Sequence, residues 1–422
     1  MNAPSLTNRL PFALEKKGCS HYSKQSFPIH CGVFSEITTG SVVLHFNLNG
    51  EVIRAQGKGK DWGHPHEWLK RTMGNDWVYY STGGYAGVFE AIGEYYLPNF
   101  DYSSNNLLGG HPFSDATISS LASSWYQILT EFAERVHRAP VPFHRFLENA
   151  LANTPACLAE KAKKLRAIIG GRISVLPPDA RHVDYNLIPL TISRGCLHKC
   201  QFCKVKNTLP FSSKTKVEIA EQIGKLKDLY GADLANYNAL FLGEHDALQA
   251  GGDLISFSVQ EAYRRFGFAD SHITEHKTFL FGSATSLVNA PENLFADLEK
   301  LPGMYYINIG LESADQDSLD KLGKPISVRL VQEAFCRMQE INERYGSIEI
   351  TANFIMDNDL PANHYPAIMA LIRERQVHTR PKGAIYFSPL TFNQPSRARL
   401  FEFNRLKILS RLPTFLYIIQ RL

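Results

Sequence analysis

From residue 185 onward, short apolar runs alternate with stretches whose apolar residues recur at helical spacing. The runs are Leu187–Ile192, Ala239–Leu242, Thr278–Gly282, Tyr305–Ile309, Ile348–Ile355 and Ala384–Phe387, each short and β-rich enough to be a buried strand. Between them, Val217, Ala220, Ile223, Leu226 and Tyr230 make a one-sided stripe, and Ile255–Phe266, Glu292–Lys300, Leu330–Tyr345 and Tyr365–Arg375 read as further helices, with Pro291 just ahead of the third. Strands alternating with helices predict βαβ units and a parallel sheet. Six of them in about 200 residues predict an α/β fold, a partial (β/α)6 TIM-type barrel. Catalytic groups in such folds sit on the loops that leave the C-terminal ends of the strands.

The chain ahead of residue 185 has a different texture. Ser41–Gln56 alternates around Asn49-Gly50, which predicts a β-hairpin with a type I′ turn. Around it lie Trp62, Trp68, Trp77, Tyr79, Tyr80, Tyr85, Tyr95 and Tyr96, aromatic residues that either fill a core or line a substrate surface. Asp115–Val136 carries Ile118, Leu121, Trp125, Ile128 and Phe132 on one helical face, and Val141–Ile169 reads as a second helix ended by Gly170-Gly171. Val175-Leu-Pro-Pro-Asp179 then forms an extended, proline-fixed lead. The expected organisation is an N-terminal α+β region with a role in substrate recognition (1–110), a helical connector (111–171), the barrel (172–390) and a C-terminal basic segment (391–422). That last segment sets six Lys or Arg from Ser396 onward against the single acid Glu402, with Phe401, Phe403, Leu406, Leu409 and Leu412 interleaved. A helix closing the open side of the barrel is expected there, in preference to contact with RNA or a membrane surface.

Composition adds boundaries rather than identity. With 44% hydrophobic and 20% charged residues the 422-residue chain has ordinary globular balance, and 45 basic against 41 acidic side chains leave a net charge of only +4. That excess is too small to argue for a nucleic-acid partner. No apolar run approaches the roughly 20 residues that span a bilayer, and Met1–Arg9 has no apolar leader core, so a cytoplasmic protein without a transmembrane segment is expected. Of seven cysteines, Cys19, Cys31, Cys157 and Cys336 are scattered, while three crowd into eight positions, which suits reduced thiols holding metal. Cys19, His21, His30 and Cys31 lack the close ligand pairs of a zinc site.

The crowded three are Cys196, Cys200 and Cys203, a C-x3-C-x2-C array on the loop that leaves the first predicted strand. Three thiolates bind a four-iron cluster and leave one iron open to a further ligand. A structural zinc with His198 or a distant residue as fourth ligand is the simpler alternative, in which the barrel is the scaffold of a non-catalytic zinc- or iron-sulfur-binding module.

The array, with the aromatic Phe202 before its last cysteine, resembles the radical S-adenosylmethionine (radical SAM) enzymes, in particular the branch of Elongator-type, MiaB-like and YgiQ-like iron-sulfur oxidoreductases. The resemblance extends over residues 172–390. Phe241–Leu248, containing Gly243, Glu244 and Asp246, is similar to the segment that holds the methionine amino group. Ile309–Ser313 resembles the Gly-Leu-Glu-Ser segment in which polar side chains, here Glu312 and Ser313, approach the ribose or the methionine carboxylate; Ala352–Ile355, with Asn353, resembles the adenine-facing segment. Two cofactors are thereby implied, a [4Fe-4S] cluster and S-adenosyl-L-methionine, whose reductive cleavage yields a 5′-deoxyadenosyl radical that abstracts hydrogen. An external one-electron reductant such as flavodoxin or ferredoxin is implied as well, together with a substrate that is a small molecule, a peptide or an RNA base.

Some residues depart from that pattern or admit a plainer role. Asp357–Asn363 stands where many relatives have Gly-Leu-Pro-Gly-Glu, and Asp357 and Asp359 have no assignment. Only Cys336 lies beyond residue 203, too few cysteines for a second cluster, and there is no Asp-x-His-x-x-Gly cobalamin signature. Glu312 has the alternative of capping a helix that starts near Asp315, and Lys324 and Arg329 are expected at the surface.

Overall fold

A computed structural model describes residues 11–22, 30–63, 65–81, 96–98, 112–136, 140–203, 205, 209–390, 397–417 and 422. Its first unit is a seven-stranded antiparallel meander: β1 (Phe12–Lys17), β2 (Val33–Thr38), β3 (Val42–Phe46), β4 (Val52–Gly57), β5 (Trp68–Arg71), β6 (Trp77–Tyr80) and β7 (Tyr96–Pro98). Side chains alternate faces along each strand, so cross-strand rows alternate too. The row Ile37, Leu44, Ala55, Leu69, Tyr79 is apolar and packs into a core with Ile118, Leu121, Trp125 and Leu129 of α1 (Ala116–Arg135). The neighbouring row Glu36, His45, Arg54, Lys70 is polar and faces the second unit. Trp62, Trp68, Tyr79 and Tyr80 are buried core residues, whereas Tyr85 and Tyr95 lie outside the described residues.

Two local expectations are corrected. The β3–β4 connection runs from Asn47 to Glu51 and is longer than a two-residue type I′ turn; Asn47 Oδ1 accepts from the backbone of both Asn49 and Glu51, and Gly50 takes the left-handed φ of +74°. The expected Val141–Ile169 helix is two: α2 (Val141–Ala152) stops at Asn153, and Thr154 caps α3 (Pro155–Ile169) with Pro155 in the first turn, where a missing N–H costs nothing.

The second unit is a seven-stranded parallel sheet in sequence order: β8 (Ile188–Pro189), β11 (Ala239–Asp246), β12 (Lys277–Ser283), β13 (Met304–Glu312), β14 (Ile348–Met356), β15 (Ile385–Pro389) and β16 (Thr414–Leu416). A short ladder of β9 (Ser193–Arg194) and β10 (Ser212–Ser213) brackets the cysteine loop. Helices α4 (Lys216–Tyr230), α5 (Gly252–Phe266), α6 (Ala284–Asn289), α7 (Glu292–Glu299), α8 (Gln316–Leu322), α9 (Val328–Arg344), α10 (His364–Met369) and α11 (Arg397–Leu409) follow the strands. The architecture is α/β, consistent with a partial TIM-type barrel. All six expected strands are present, and a seventh, β16, was not expected: the C-terminal segment supplies helix α11 and then a strand that pairs with β15, so the sheet continues past residue 390.

The meander contacts the barrel through segments that precede its strands. Asn49 Nδ2 donates to Tyr230 O at 2.7 Å, Asn236 bonds both backbone groups of Val33, and Lys70 Nζ donates to the carbonyl of Asp184. The described meander residues therefore abut the N-terminal ends of the barrel strands, and the cysteine loop leaves the opposite end. A turn at Pro178–Val183 spans that lower end, with the Asp179 carboxylate accepting from Thr351 and from Tyr386, each at 2.7 Å.

Two buried histidines are neutral in this core. Burial holds both His45 and His276 down at about 4, although Glu36 faces the first and Asn238 and Thr278 bond the second. A histidine whose folded pKa lies below its unfolded value contributes fully above about 6.5 and loses its contribution as pH falls through about 4. The unfolding free energy read from urea titrations is therefore expected to fall between pH 6.5 and 4, by on the order of 3 kcal/mol for each histidine. His276→Gln, which takes up no proton, should flatten that slope; an unchanged slope would reassign it to other groups.

Candidate metal centre

Leu190 and Ile192 anchor the chain after β8, and the chain then turns at Gly195, whose φ is +74° and whose absent side chain would otherwise collide with the Pro210 carbonyl. The loop that follows is tied down at two points. His198 Nε2 lies 3.1 Å from Thr285 Oγ1 at the start of α6, and Gln201 N donates to Gly323 O at 3.3 Å beyond α8. Cys196, Cys200 and Cys203 are thus held over the C-terminal ends of β12 and β13, and all three are half-buried free thiols. Gly323 adopts φ +62°, and a Cβ there would sit 2.5 Å from Gln201 side-chain atoms. Gly323→Ala is expected to cost about 1–2 kcal/mol from the left-handed backbone alone, read in urea unfolding, and to loosen the loop. A variant as stable as the parent would show that Gln201 gives way freely.

Two carboxylates, Asp246 and Glu312, and a lysine, Lys324, act on the thiols of this loop. Asp246, at the end of β11, is 4% exposed; its Oδ1 accepts from Ser283 N at 3.1 Å and Ser286 Oγ at 2.6 Å, while its Oδ2 is buried with no partner among the described residues. Its charge reaches Cys196 and His198. Glu312 takes a left-handed φ of +65° at the irregular end of β13, where Oε1 accepts from Lys324 Nζ at 2.9 Å. Lys324 is 7% exposed, donates also to Gly310 O, and lies 6.0 Å from the ring centre of Phe202. Glu244 is taken up inside the chain: Oε1 accepts from Ser174 Oγ at 2.9 Å, from Val175 N at 2.8 Å, and from Ser174 N. Asp315 caps α8 through Ser318, so Glu312 does not cap that helix.

Ser313 Oγ contacts His364 Nδ1 at 2.9 Å and accepts from Asp315 N, and His364 in turn reaches Ile355 O. Asn353 and Asn308 exchange amide hydrogen bonds of 2.6 and 3.2 Å inside the sheet. Gly243 takes φ +117°, a glycine conformation, and lets β11 break register with β12 before Asp246. Asp359 is exposed and paired with Lys321, and Arg329 is exposed and paired with Glu333, as expected of surface residues. Lys324 is the correction: expected at the surface, it is buried beside the thiols.

The electrostatics suit a cationic group that is bound by thiolate. Burial pushes the Cys200 thiol up to about 11 and raises Cys196 and Cys203, while Lys324 pulls the other way and the thiols raise one another. A bound metal cation reverses that preference by binding the thiolate form. Among the described residues no three His, Cys, Asp or Glu side chains converge as a single-ion site. Three electrostatically coupled thiols on one loop, with the orphaned Asp246 Oδ2 acting on Cys196, are of the donor types that a cysteine-ligated cluster with an ammonium-bearing ligand calls for, so the chemistry of the residues present fits the implied cofactors.

No family model matches the chain, and no curated protein does. Solved structures similar to it include a radical SAM methyltransferase from Sphaerobacter thermophilus, at 14% identity and a TM-score of 0.37 over 54% of this chain and 64% of that one. The cobalamin-dependent S-adenosylmethionine radical enzyme OxsB is similar at 13% identity and TM-score 0.33 (54% of this chain, 30% of that one), and methylornithine synthase at 13% and 0.34 (60% and 68%). This chain spans less than two thirds of the length of the first two of these proteins.

Proposed function

We propose that the protein is a radical SAM enzyme whose Cys196, Cys200 and Cys203 hold a [4Fe-4S] cluster. The observation that carries this reading is the position of the cysteine loop, over the C-terminal ends of parallel strands and beside a buried carboxylate, Asp246, that has one oxygen unspent. When bound and reduced, the cluster and S-adenosyl-L-methionine together supply a 5′-deoxyadenosyl radical that abstracts hydrogen from a substrate.

The chain's own residues then have distinct tasks. Asp246 Oδ2 accepts from the methionine ammonium, and its Oδ1 stays fixed by Ser283 and Ser286. Lys324 presents a cation to the methionine carboxylate, held in place by Glu312. Phe202 walls the loop against Lys324. Glu244 contributes a second acceptor when Ser174 and Val175 release it. Ser313, with Glu312, lies on the side of the ribose or the methionine carboxylate, and Asn353 on that of the adenine, each oriented by its partner, His364 or Asn308. An external one-electron reductant of the flavodoxin or ferredoxin kind and a small-molecule, peptide or RNA-base substrate complete the proposal, in a cytoplasmic setting. Among the described residues no helix is long and apolar enough to cross a membrane.

The test is anaerobic reconstitution with iron and sulfide. The expected product is brown, carries about four irons per chain and releases 5′-deoxyadenosine when reduced with S-adenosyl-L-methionine. A colourless protein that takes up zinc and cleaves nothing would replace this proposal with that of a non-catalytic zinc module.

A further inference from the structure

At the other end of the barrel, between the polar face of the meander and the segments that precede β8 and β11, lies a cavity of about 70 Å³. It has room for several water molecules or one small oxyanion. Arg54 lines it, 7% exposed, and its Nε and Nη1 have no hydrogen-bond partner among the described residues. Its cross-strand neighbours supply no counter-charge. On one side is His45, buried and neutral, and on the other is Lys70, itself a cation. The next basic lining residue, Arg71, is already satisfied by Glu51 and the Val52 carbonyl.

Two acids line the same cavity, Asp184 and Asp233. Asp233 is spent on Asn47, the Leu48 N–H and Asn236. Asp184 and Tyr185 adopt φ of +48° and +60°, two consecutive non-glycine residues in the left-handed region, and the buried Tyr185 hydroxyl also lacks a partner among the described residues. Strain of this kind, about 1–2 kcal/mol per residue, collects where a fold shapes a site. A guanidinium taken out of water with two of its three nitrogens unpartnered, and with the Phe34 ring 5.8 Å from its centre as its aromatic neighbour, is costly enough to call for an anion.

We propose that this cavity binds a small oxyanion, a phosphate or a short-chain carboxylate, with Arg54 as its principal donor and the Tyr185 hydroxyl as a second. The site is separate from the cysteine loop, so it stands whether or not a cluster is loaded.

The test is thermal unfolding and calorimetric titration of the full chain with inorganic phosphate, with acetate and propionate, and with sodium chloride at matched ionic strength. At least one oxyanion is expected to raise the Tm by a few degrees, in steps that follow the logarithm of its concentration, and chloride is not. Which of them does so decides between phosphate and carboxylate. Arg54→Met should abolish the shift and leave the anion-free Tm unchanged or higher, because it removes an unpaired buried charge. If Arg54→Met does not fold, Arg54→Lys keeps the charge without the planar fork and should weaken the titrated affinity about 10-fold. The proposal is overturned if no oxyanion exceeds chloride up to about 50 mM, if Arg54→Met keeps the shift, if Arg54→Lys titrates like the parent, or if Arg54→Met lowers the anion-free Tm as loss of an internal ion pair does.

Discussion

Cys203→Ala is expected to abolish iron incorporation and 5′-deoxyadenosine release together, while the far-ultraviolet circular dichroism and the urea midpoint of the metal-free protein stay near those of the parent. The two losses coincide because a three-thiolate cluster has no spare ligand on this loop: the other cysteines, Cys19, Cys31, Cys157 and Cys336, lie elsewhere in the chain. The fold survives because the thiol is only half-buried and its hydrogen bond is to the neighbouring Val205 backbone within the same loop, which stays anchored by His198 and Gln201. Cys336→Ala is the control, expected to load and react normally. A Cys203→Ala protein that remained brown and cleaved S-adenosyl-L-methionine would end the assignment of that cysteine. Asp246→Asn separates holding the cluster from positioning its ligand. It should keep the colour and lose about 10- to 100-fold in cleavage, the range for a group one layer removed from a metal.

The barrel was legible because its signal is local. Each of the six expected strands is an apolar run long enough to stand out, and α4 and α9 carry one-sided stripes of the helical period. β16 was missed because Thr414–Leu416 is only three residues long and becomes a strand by pairing with β15, which no pattern within the segment records. The break between α2 and α3 was written in Thr154-Pro155, a cap followed by a first-turn proline, yet apolar spacing carried the expectation across it. At the metal centre the cysteines announced themselves because ligands on one short loop must be close in sequence. The partners of Glu244 did not, since Ser174 and Val175 lie about 70 residues away. Lys324 follows a helix-ending glycine and precedes Pro325, the setting of an exposed turn; its burial comes from folding back on Glu312.

That buried pair sets up the second large effect. Lys324 and Glu312 are 7% and 8% exposed, and the Lys324 ammonium is shared between the Glu312 carboxylate and the Gly310 carbonyl. Lys324→Met removes the cation and leaves Glu312 buried, charged and held at a left-handed φ, so a loss of about 3–5 kcal/mol is expected in urea unfolding. Glu312→Gln alone leaves the lysine unpaired and should cost a similar amount. The double variant has neither charge and should recover most of the loss, because two neutral side chains incur no penalty for an unpaired ion. Burial alone would lower the Lys324 pKa, but the Glu312 carboxylate and the nearby thiols outweigh it and hold the pKa above its usual value. The pair's contribution is therefore complete below about pH 10.5 and is lost as pH rises through the folded value. Strictly additive costs in the two single variants would mean that the residues do not stabilise one another, and Lys324 would then have no anchor from which to meet a carboxylate over the cysteine loop.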